Sequence, residues 1–367
     1  MFSRNEQRLL HHLLVFIAAL GLAASTASTA LAASFNTTGS MNAERVYHTA
    51  TRLTNGEVLV TGGENPKDGY LASAELYDPA TGHWTLTGSL TVPRIKHDAV
   101  LLQNGQVLVA GGYNLRSGPL ASAERYDPAS GTWTATGSMA TSRADFLMIL
   151  LPNGEVLAAG GGGSSTSAEL YDPATGTWTA TQNMPSSSFS DAAVLLQNGD
   201  VYSPSVNLYH PATGTWTTTS APPVGGSPIA LLPNGNVWTA GSLQGESLYN
   251  PSTNQWITFA PPPCTTTQQG CESAAMTLET GMVLVAGGIT EIPRTYPAQP
   301  IKQTNGFAAV FNPLTLTWGK TSSMKQSRFL ETMTLLLNGQ VLVAGGETFE
   351  KSSGSLVPIS SAELYTP

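Results

Sequence analysis

Outside its first 32 residues the chain carries four histidines, His48, His83, His97 and His210, and two cysteines, Cys264 and Cys271. Histidine and carboxylate are ligand types that a mononuclear metal site uses, and His48, His97, Asp191 and Glu331 supply both. Their spacing matches no metal motif, so no metal or cofactor is expected. Asp191 and Glu331 could instead form a carboxylate pair of the kind that cleaves glycosidic bonds. Four arginines, Arg45, Arg94, Arg143 and Arg328, could gather into an anion site. Cys264 and Cys271 lie close together in a Pro/Thr/Gln-rich stretch and, in an exported protein, read as a local disulfide.

What these residues can do depends on the elements that hold them, and those elements repeat. The stretch Ser167 to Trp178 recurs nearly letter for letter at Ser73 to Trp84 and Ser122 to Trp133. Looser copies run from Ser205 to Trp216, Gly245 to Trp256 and Ala308 to Trp318, with a partial copy from Ser360 to Pro367. A hairpin marker, Asn followed by Gly, stands at Asn55, Asn104, Asn153, Asn198, Asn234 and Asn338, with Thr280-Gly281 as a degenerate form. Each unit reads as an apolar strand, the marker, a second strand ending in Gly-Gly, a variable loop, a third strand, an Asp-Pro-x-x-Gly turn and a fourth strand. Seven such units predict an all-β, seven-bladed β-propeller. The segment Phe35 to Met41 aligns with Trp133 to Met139, so the N-terminal strand is expected to complete the last blade and remove an open edge.

Residues 1–32 belong to a different kind of segment. Arg4 and Arg8 precede an apolar run from Leu13 to Leu22, and Ala30-Leu31-Ala32 follows. This is the order of a secretory signal peptide with cleavage after Ala32. The run is too short for a spanning helix, which needs about 20 apolar residues. Residues 33–367 are therefore expected to be one exported propeller domain, secreted, not membrane-spanning and monomeric. The net charge of −8 argues against a nucleic-acid partner, which needs a basic face.

Gly-Gly after an apolar strand, then a Tyr and a Trp on later strands, resembles the kelch family across essentially the whole chain after residue 32. The motif is strong in units one, two, three and seven and weaker in units four to six. In kelch domains that bind partners, contacts often come from the residue after Gly-Gly and the Arg before the first strand. The resemblance thus implies Glu64, Tyr113, Ile289 and Glu347 as contact positions, with Arg45, Arg94, Arg143 and Arg328. Tyr113 is the strongest contact candidate, since aromatics anchor interfaces, and Tyr296 in a proline-rich insertion follows it. Kelch-type propellers also include secreted copper oxidases of the galactose oxidase kind, whose site needs two His, two Tyr and a Cys. Only His48 and His97 fall on the right face for that.

The repeats also sort residues by role. Arg45, Arg94, Arg143 and Arg328 stand ten residues before a marker, where units four to six have Ser188, Val224 and Gly270. Glu75, Glu124, Glu169 and Glu363 stand on the third strands of those same Arg-bearing units, where the others have Asn207, Ser247 and Ala309. Loss of both partners together predicts four structural ion pairs within blades. Three residues after the Arg position come His48, His97, Phe146, Asp191, Ser227, Ser273 and Glu331, a varied ring expected to line the channel. Loop lengths predict a raised wall over blades six, seven and one and a low side at blades four and five. Function tends to sit on such variable loops. The reading is a non-catalytic module that binds an extracellular polysaccharide or protein on the loop-rich face, the alternative being a carbohydrate-active hydrolase or lyase. The ligand-binding candidates are Tyr113, Tyr296, Glu64, Glu347, His48, His97, Asp191 and Glu331.

Overall fold

The computed structural model describes residues 33–162, 165–187, 192–204, 207–223, 227–240, 245–263, 274–292 and 301–367. Ala33–Pro367 forms one compact unit. Within it stand seven four-stranded antiparallel sheets, the blades of a β-propeller. Blade one consists of Thr49–Arg52, Val58–Thr61, Ala74–Asp78 and His83–Leu86. Its second strand is buried at every position because both faces of a blade pack against neighbours. That is why the sequence there is a continuous apolar run rather than an alternation. First strands of successive blades contact one another around the axis. No helix occurs among the described residues, and none is long and apolar enough to cross a membrane.

The turns follow from their letters, with one difference. Two-residue hairpins of type I′ need positive φ at both central residues. Here Gly56 has φ 92° while Asn55 is not left-handed. Gly56 N donates to Leu53 O, and Leu53 N to Glu57 O, at 3.1 and 2.8 Å. The marker therefore ends a wider turn in which a left-handed glycine closes the loop, and the Asn55 side chain accepts from Glu57 N. At the outer turn Asp78 accepts from Ala80 N and Thr81 Oγ1, and Gly82 N returns to Asp78 O.

Blades are joined by side chains reaching back to the preceding blade. The Tyr77, Tyr126 and Tyr171 hydroxyls each lie 2.8 Å from the Oγ1 of Thr38, Thr87 and Thr136. Trp84, Trp133 and Trp178 donate their indole N–H to the carbonyls of Gly39, Gly88 and Gly137. Core clusters straddle blades: Phe146 and Met148 of blade three pack with Leu108 and Ala110 of blade two. The ring closes through Ser34–Thr37, which pairs antiparallel with Ala362–Thr366 and completes blade seven. Phe35 stands opposite Tyr365 with ring centroids 5.0 Å apart, in the place that tryptophan holds in the other Tyr–Trp pairs.

On the face opposite the hairpin markers, four extra two-stranded ribbons rise. They are Glu64–Asn65 with Gly69–Tyr70, Tyr113–Asn114 with Gly118–Pro119, Ile289–Ile292 with Ile301–Thr304, and Glu347–Glu350 with Ser355–Pro358. The wall thus covers blades six, seven, one and two, one blade further than expected, because loop 113–121 of blade two equals loop 64–72 of blade one in length. Tyr113 pairs with Pro119 as Glu64 pairs with Tyr70 in blade one. The ribbons of blades six, seven and one touch in succession, and Tyr70 meets Tyr113 edge-on at 6.3 Å. Tyr296, Cys264, Cys271, Asp191, Ser188, Val224, Gly270 and Ser273 lie outside the described residues, as do residues 1–32.

Candidate functional site

Each unit begins with a linker that must be held against its own blade. In blade one Arg45 Nη2 donates to Glu75 Oε1 at 2.7 Å, with both side chains fully buried. Arg45 Nη1 donates to Gly62 O and Ser73 O, while Glu75 accepts from Asn42 N and Ala43 N. The same set recurs with Arg94–Glu124, Arg143–Glu169 and Arg328–Glu363 at 2.9 to 3.0 Å. Every pair lies within one blade. The guanidiniums are fully buried and their terminal nitrogens are engaged within the blade, so the four arginines form no open anion site. Burial lowers the pKa of each arginine and its glutamate opposes the shift. The Arg backbone faces the other way. Arg94 O accepts from Gly63 N, and a Cβ on Gly62 would lie 2.6 Å from that oxygen. Gly-Gly is required here by close approach as well as by its positive φ.

Three residues beyond Arg45, Arg94 and Arg143 the side chain packs onto the preceding blade's first glycine: His48 on Gly345, His97 on Gly62 and Phe146 on Gly111. His48 Nε2 lies 3.2 Å from Thr332 Oγ1, and His97 Nε2 lies 3.1 Å from Thr49 Oγ1. Asp98 continues the pattern by accepting from Met148 N of blade three. Burial, reinforced by the Arg45 charge, brings the His48 pKa down to about 3. Burial, with Arg94 and then His48, holds His97 well below its ordinary value. Both imidazoles are neutral at physiological pH. They are inter-blade spacers whose exposed edges form part of the channel wall.

Two residues beyond each of the four arginines the backbone is left-handed: Tyr47 (φ 55°), Lys96 (φ 54°), Asp145 (φ 49°) and Leu330 (φ 59°). Such φ values are uncommon for residues other than glycine and are strained for bulky ones. Backbone bonds across blades hold them: Lys96 N donates to Tyr47 O, and Asp145 N to Lys96 O, at 3.2 and 3.1 Å. These four and the ring residues behind them line a cavity of ≈ 290 Å³ at the channel mouth, on the face that carries the ribbons. Lys96 Nζ lies 2.8 Å from Asp145 Oδ2 and 5.3 Å from the centre of the Tyr47 ring. The Asp145 hydrogen bond raises the Lys96 pKa, and burial raises that of Glu64 nearby.

The structure brings His48, His97 and Glu331 together at this mouth. Glu64, Tyr113 and Glu347 stand outside it, and they are not loop tips. Each begins a ribbon and bridges back to its own linker, Glu64 to Val46, Tyr113 to Ile95 and Glu347 to Phe329. Ile289 likewise starts the blade-six ribbon. Sequence reasoning missed Tyr47, Lys96, Asp145 and Leu330. The signal was present in the repeats, since all four share one offset from an arginine, but no residue type announces a left-handed backbone there.

The kelch motif matches residues 45–91 and 99–140. Over 92% of its length the chain is similar to a fungal alcohol oxidase of the AA5 family solved in complex with copper, at 17% identity and TM-score 0.69, covering 76% of that chain. It is also similar to the solved structure of YjhT, at 14% identity and TM-score 0.55, covering 89% of this chain and 95% of that one. At these identities the likeness is one of fold. No curated protein matches the sequence. A copper centre of the galactose oxidase kind does not fit the donors at the mouth. His48 and His97 present Nε2 to threonines, both Nδ1 atoms are buried, and no three His, Cys, Asp or Glu side chains among the described residues converge on one point.

Proposed function

This chain is a kelch-repeat β-propeller, and from that premise we propose that it is an exported, non-catalytic recognition module. It holds an extracellular polysaccharide or protein on the face that carries the ribbons. The observation that carries this reading is the arrangement of that face. Four ribbons, touching in succession over blades six, seven, one and two, border one side of a polar cavity. The opposite face has short, near-identical turns. A rigid frame that keeps one face uniform and builds up the other is the usual division between scaffold and binding surface. Tyr70 and Tyr113, half-buried and edge to edge, supply the aromatic contact area that dominates interfaces.

The histidines at the mouth are poor candidates for acid–base turnover, which supports a binding role for them. A general acid or base works best with a pKa near the operating pH, whereas His48 titrates at about 3 and His97 is also strongly depressed. The test is a screen of the secreted protein against arrays of glycans and of exported proteins, followed by incubation of each hit. Binding without product, weakened by Tyr113→Ala, is the expected result. Cleavage fragments from a bound polysaccharide would replace the module with a hydrolase or lyase. Sequencing of the secreted N-terminus tests export, with Ala33 expected as the first residue.

A further inference from the structure

The four left-handed residues at the mouth invite a question that the scaffold does not answer. Most left-handed positions in this chain are glycine, which adopts the conformation freely. At these four, on consecutive blades seven, one, two and three, the chain instead keeps Leu330, Tyr47, Lys96 and Asp145. All four are large or charged, all differ, and all face one cavity. Asn254 and Leu316 are left-handed too, but singly and at outer turns; only these four converge on one cavity, and that convergence is what points to a use for their side chains. In order around the mouth they present an aliphatic surface, an aromatic ring, a donor and an acceptor.

We propose that these four residues form a subsite for the terminal hexose of an uncharged glycan. Tyr47 and Leu330 meet the apolar face of the sugar ring, and the Lys96–Asp145 pair clasps two neighbouring hydroxyls. The ammonium and carboxylate are 2.8 Å apart, close to the separation of adjacent hydroxyl oxygens on a pyranose. A hydroxyl both donates and accepts, so a diol is matched by one donor beside one acceptor. A cavity of ≈ 290 Å³ lies near the small end of ligand sites, about 300 Å³, and holds one or two sugar rings.

The charge at the mouth narrows the class. Lys96 is balanced by Asp145, the two histidines are neutral, and the remaining charges are carboxylates: Asp98, which accepts from Ala99 N and Met148 N, and Glu331 in the lining, with Glu64 and Glu347 close by at the wall. An acidic sugar would approach carboxylates with no unengaged cation to meet it. A cationic ligand would have to displace Lys96, which already occupies both the Tyr47 face and the Asp145 carboxylate. A neutral polyhydroxylated ligand meets neither obstacle.

This inference rests on the loop-face reading and is narrower than it. The probes are neutral tetrasaccharides ending in glucose, galactose or mannose, and oligogalacturonate as the anionic comparison, titrated calorimetrically into the secreted protein. At least one neutral probe is expected to bind and the anionic one to bind more weakly. Tyr47→Leu should lower affinity about tenfold, and Asp145→Asn or Lys96→Met several-fold, since hydrogen bonds to charged groups carry effects of this size. Leu330 shows that leucine is accommodated in this conformation, so Tyr47→Leu should keep the melting temperature. Binding that ignores Tyr47→Leu and Asp145→Asn, or that favours the anionic probe, overturns the subsite. A protein ligand lost on Tyr113→Ala but not on Tyr47→Leu, with no neutral glycan bound, overturns the subsite and leaves the loop-face reading standing. Failure of every probe on both surfaces ends both.

Discussion

Blades two and five share one four-strand plan and must both hold an incoming linker, yet they use different chemistry. Blade two uses Arg94 and Glu124, fully buried and 3.0 Å apart, with Glu124 accepting from Thr91 N and Val92 N of the linker. Blade five has Ser247 opposite Thr239 at the equivalent register, and both hydroxyls are buried without a hydrogen-bond partner. Blade four lies between these solutions, its Asn207 exchanging bonds with Ser186. What blades four and five lose in polar ties they recover in aromatic packing. Tyr202 stacks on Tyr249 at 4.9 Å and Trp238 meets Trp318 edge-on at 6.3 Å. An ion pair is thus not needed to make a blade. It is needed where the linker's geometry matters, and the left-handed residues and the cavity lie on the latched arc of blades seven, one, two and three. Three of the four ribbons stand on the regular blades seven, one and two rather than where the repeat degenerates. The cavity itself sits on the most regular part of the ring, because a site needs its backbone held by a well-determined shell.

The contrast is sharpest under truncation. Arg94→Ala strands a buried carboxylate and should cost about 3–5 kcal/mol, whereas Asn207→Ala should cost about 1–2 kcal/mol because only neutral bonds are lost. Chemical denaturation of both variants measures the difference. Equal losses would show that the latch is no more than ordinary linker hydrogen bonding. Because a buried pair can be exchanged for apolar residues at little cost, Arg94→Met with Glu124→Leu should recover much of the stability. It should not recover the φ of Lys96, so glycan affinity is expected to stay low.

Acid should find the same arc. The folded-state pKa of His48 is depressed to about 3 and that of His97 is also low, while both sit near 6.5 when unfolded. The unfolded chain therefore binds protons that the native state refuses. The stability these groups confer is complete above pH 6.5 and falls as pH drops from 6.5 toward 3, by on the order of 3 kcal/mol for His48 at pH 4, with His97 falling in the same direction. Blade three supplies the control, since Phe146 fills the same position without titrating. Melting temperatures of the His48→Phe, His97→Phe variant should decline less between pH 7 and pH 4 than those of the parent. Parallel curves would place the acid sensitivity elsewhere.

How far letters alone reach differs between frame and site for a physical reason. Turn formers, Gly-Gly and the Tyr–Trp pairs act through short-range sterics that repeat with the sequence, so the blade plan, the blade-seven closure by Phe35 and the intrablade partner of each arginine were all legible. The Arg–Glu assignment used only the joint loss of both letters in units four to six. The mouth was half legible. His48, His97 and Glu331 were placed by offset, but nothing in a Tyr, Lys, Asp or Leu signals positive φ, which here is imposed by hydrogen bonds between blades. The ribbon in blade two was as legible as that in blade one, since loops 113–121 and 64–72 are equally long and form the same two-residue pairing.

A smaller effect tests the unlatched side. Ser247 and Thr239 face each other as unpartnered buried hydroxyls, so each carries a desolvation cost with no bond to offset it. Ser247→Ala should leave stability unchanged or raise it by about 0.5–1 kcal/mol. The equivalent removal on the latched side, Glu124→Ala, should be severely destabilising. A marked loss for Ser247→Ala, seen by the same denaturation, would mean that the hydroxyl has a role that the comparison denies it.

The smallest effect separates holding the ring from using it. Lys96 and Asp145 are 35% and 51% exposed as side chains, so their attraction is screened, unlike that of the buried pairs behind them. Exposed pairs contribute about 0–1 kcal/mol and less in salt, and the Tyr47 ring adds little at such a site. Lys96→Met should therefore shift the melting temperature barely, and less still at about three times physiological ionic strength, where surface charges are screened further. Its raised pKa predicts the direction of what remains: the contribution is present below the unfolded value near 10.5 and disappears as pH rises through the folded value. A pair with so small a part in stability, on a backbone that glycine would fit with less strain, is what the proposed subsite requires. A large loss of stability in Lys96→Met would return the pair to the scaffold and remove that argument.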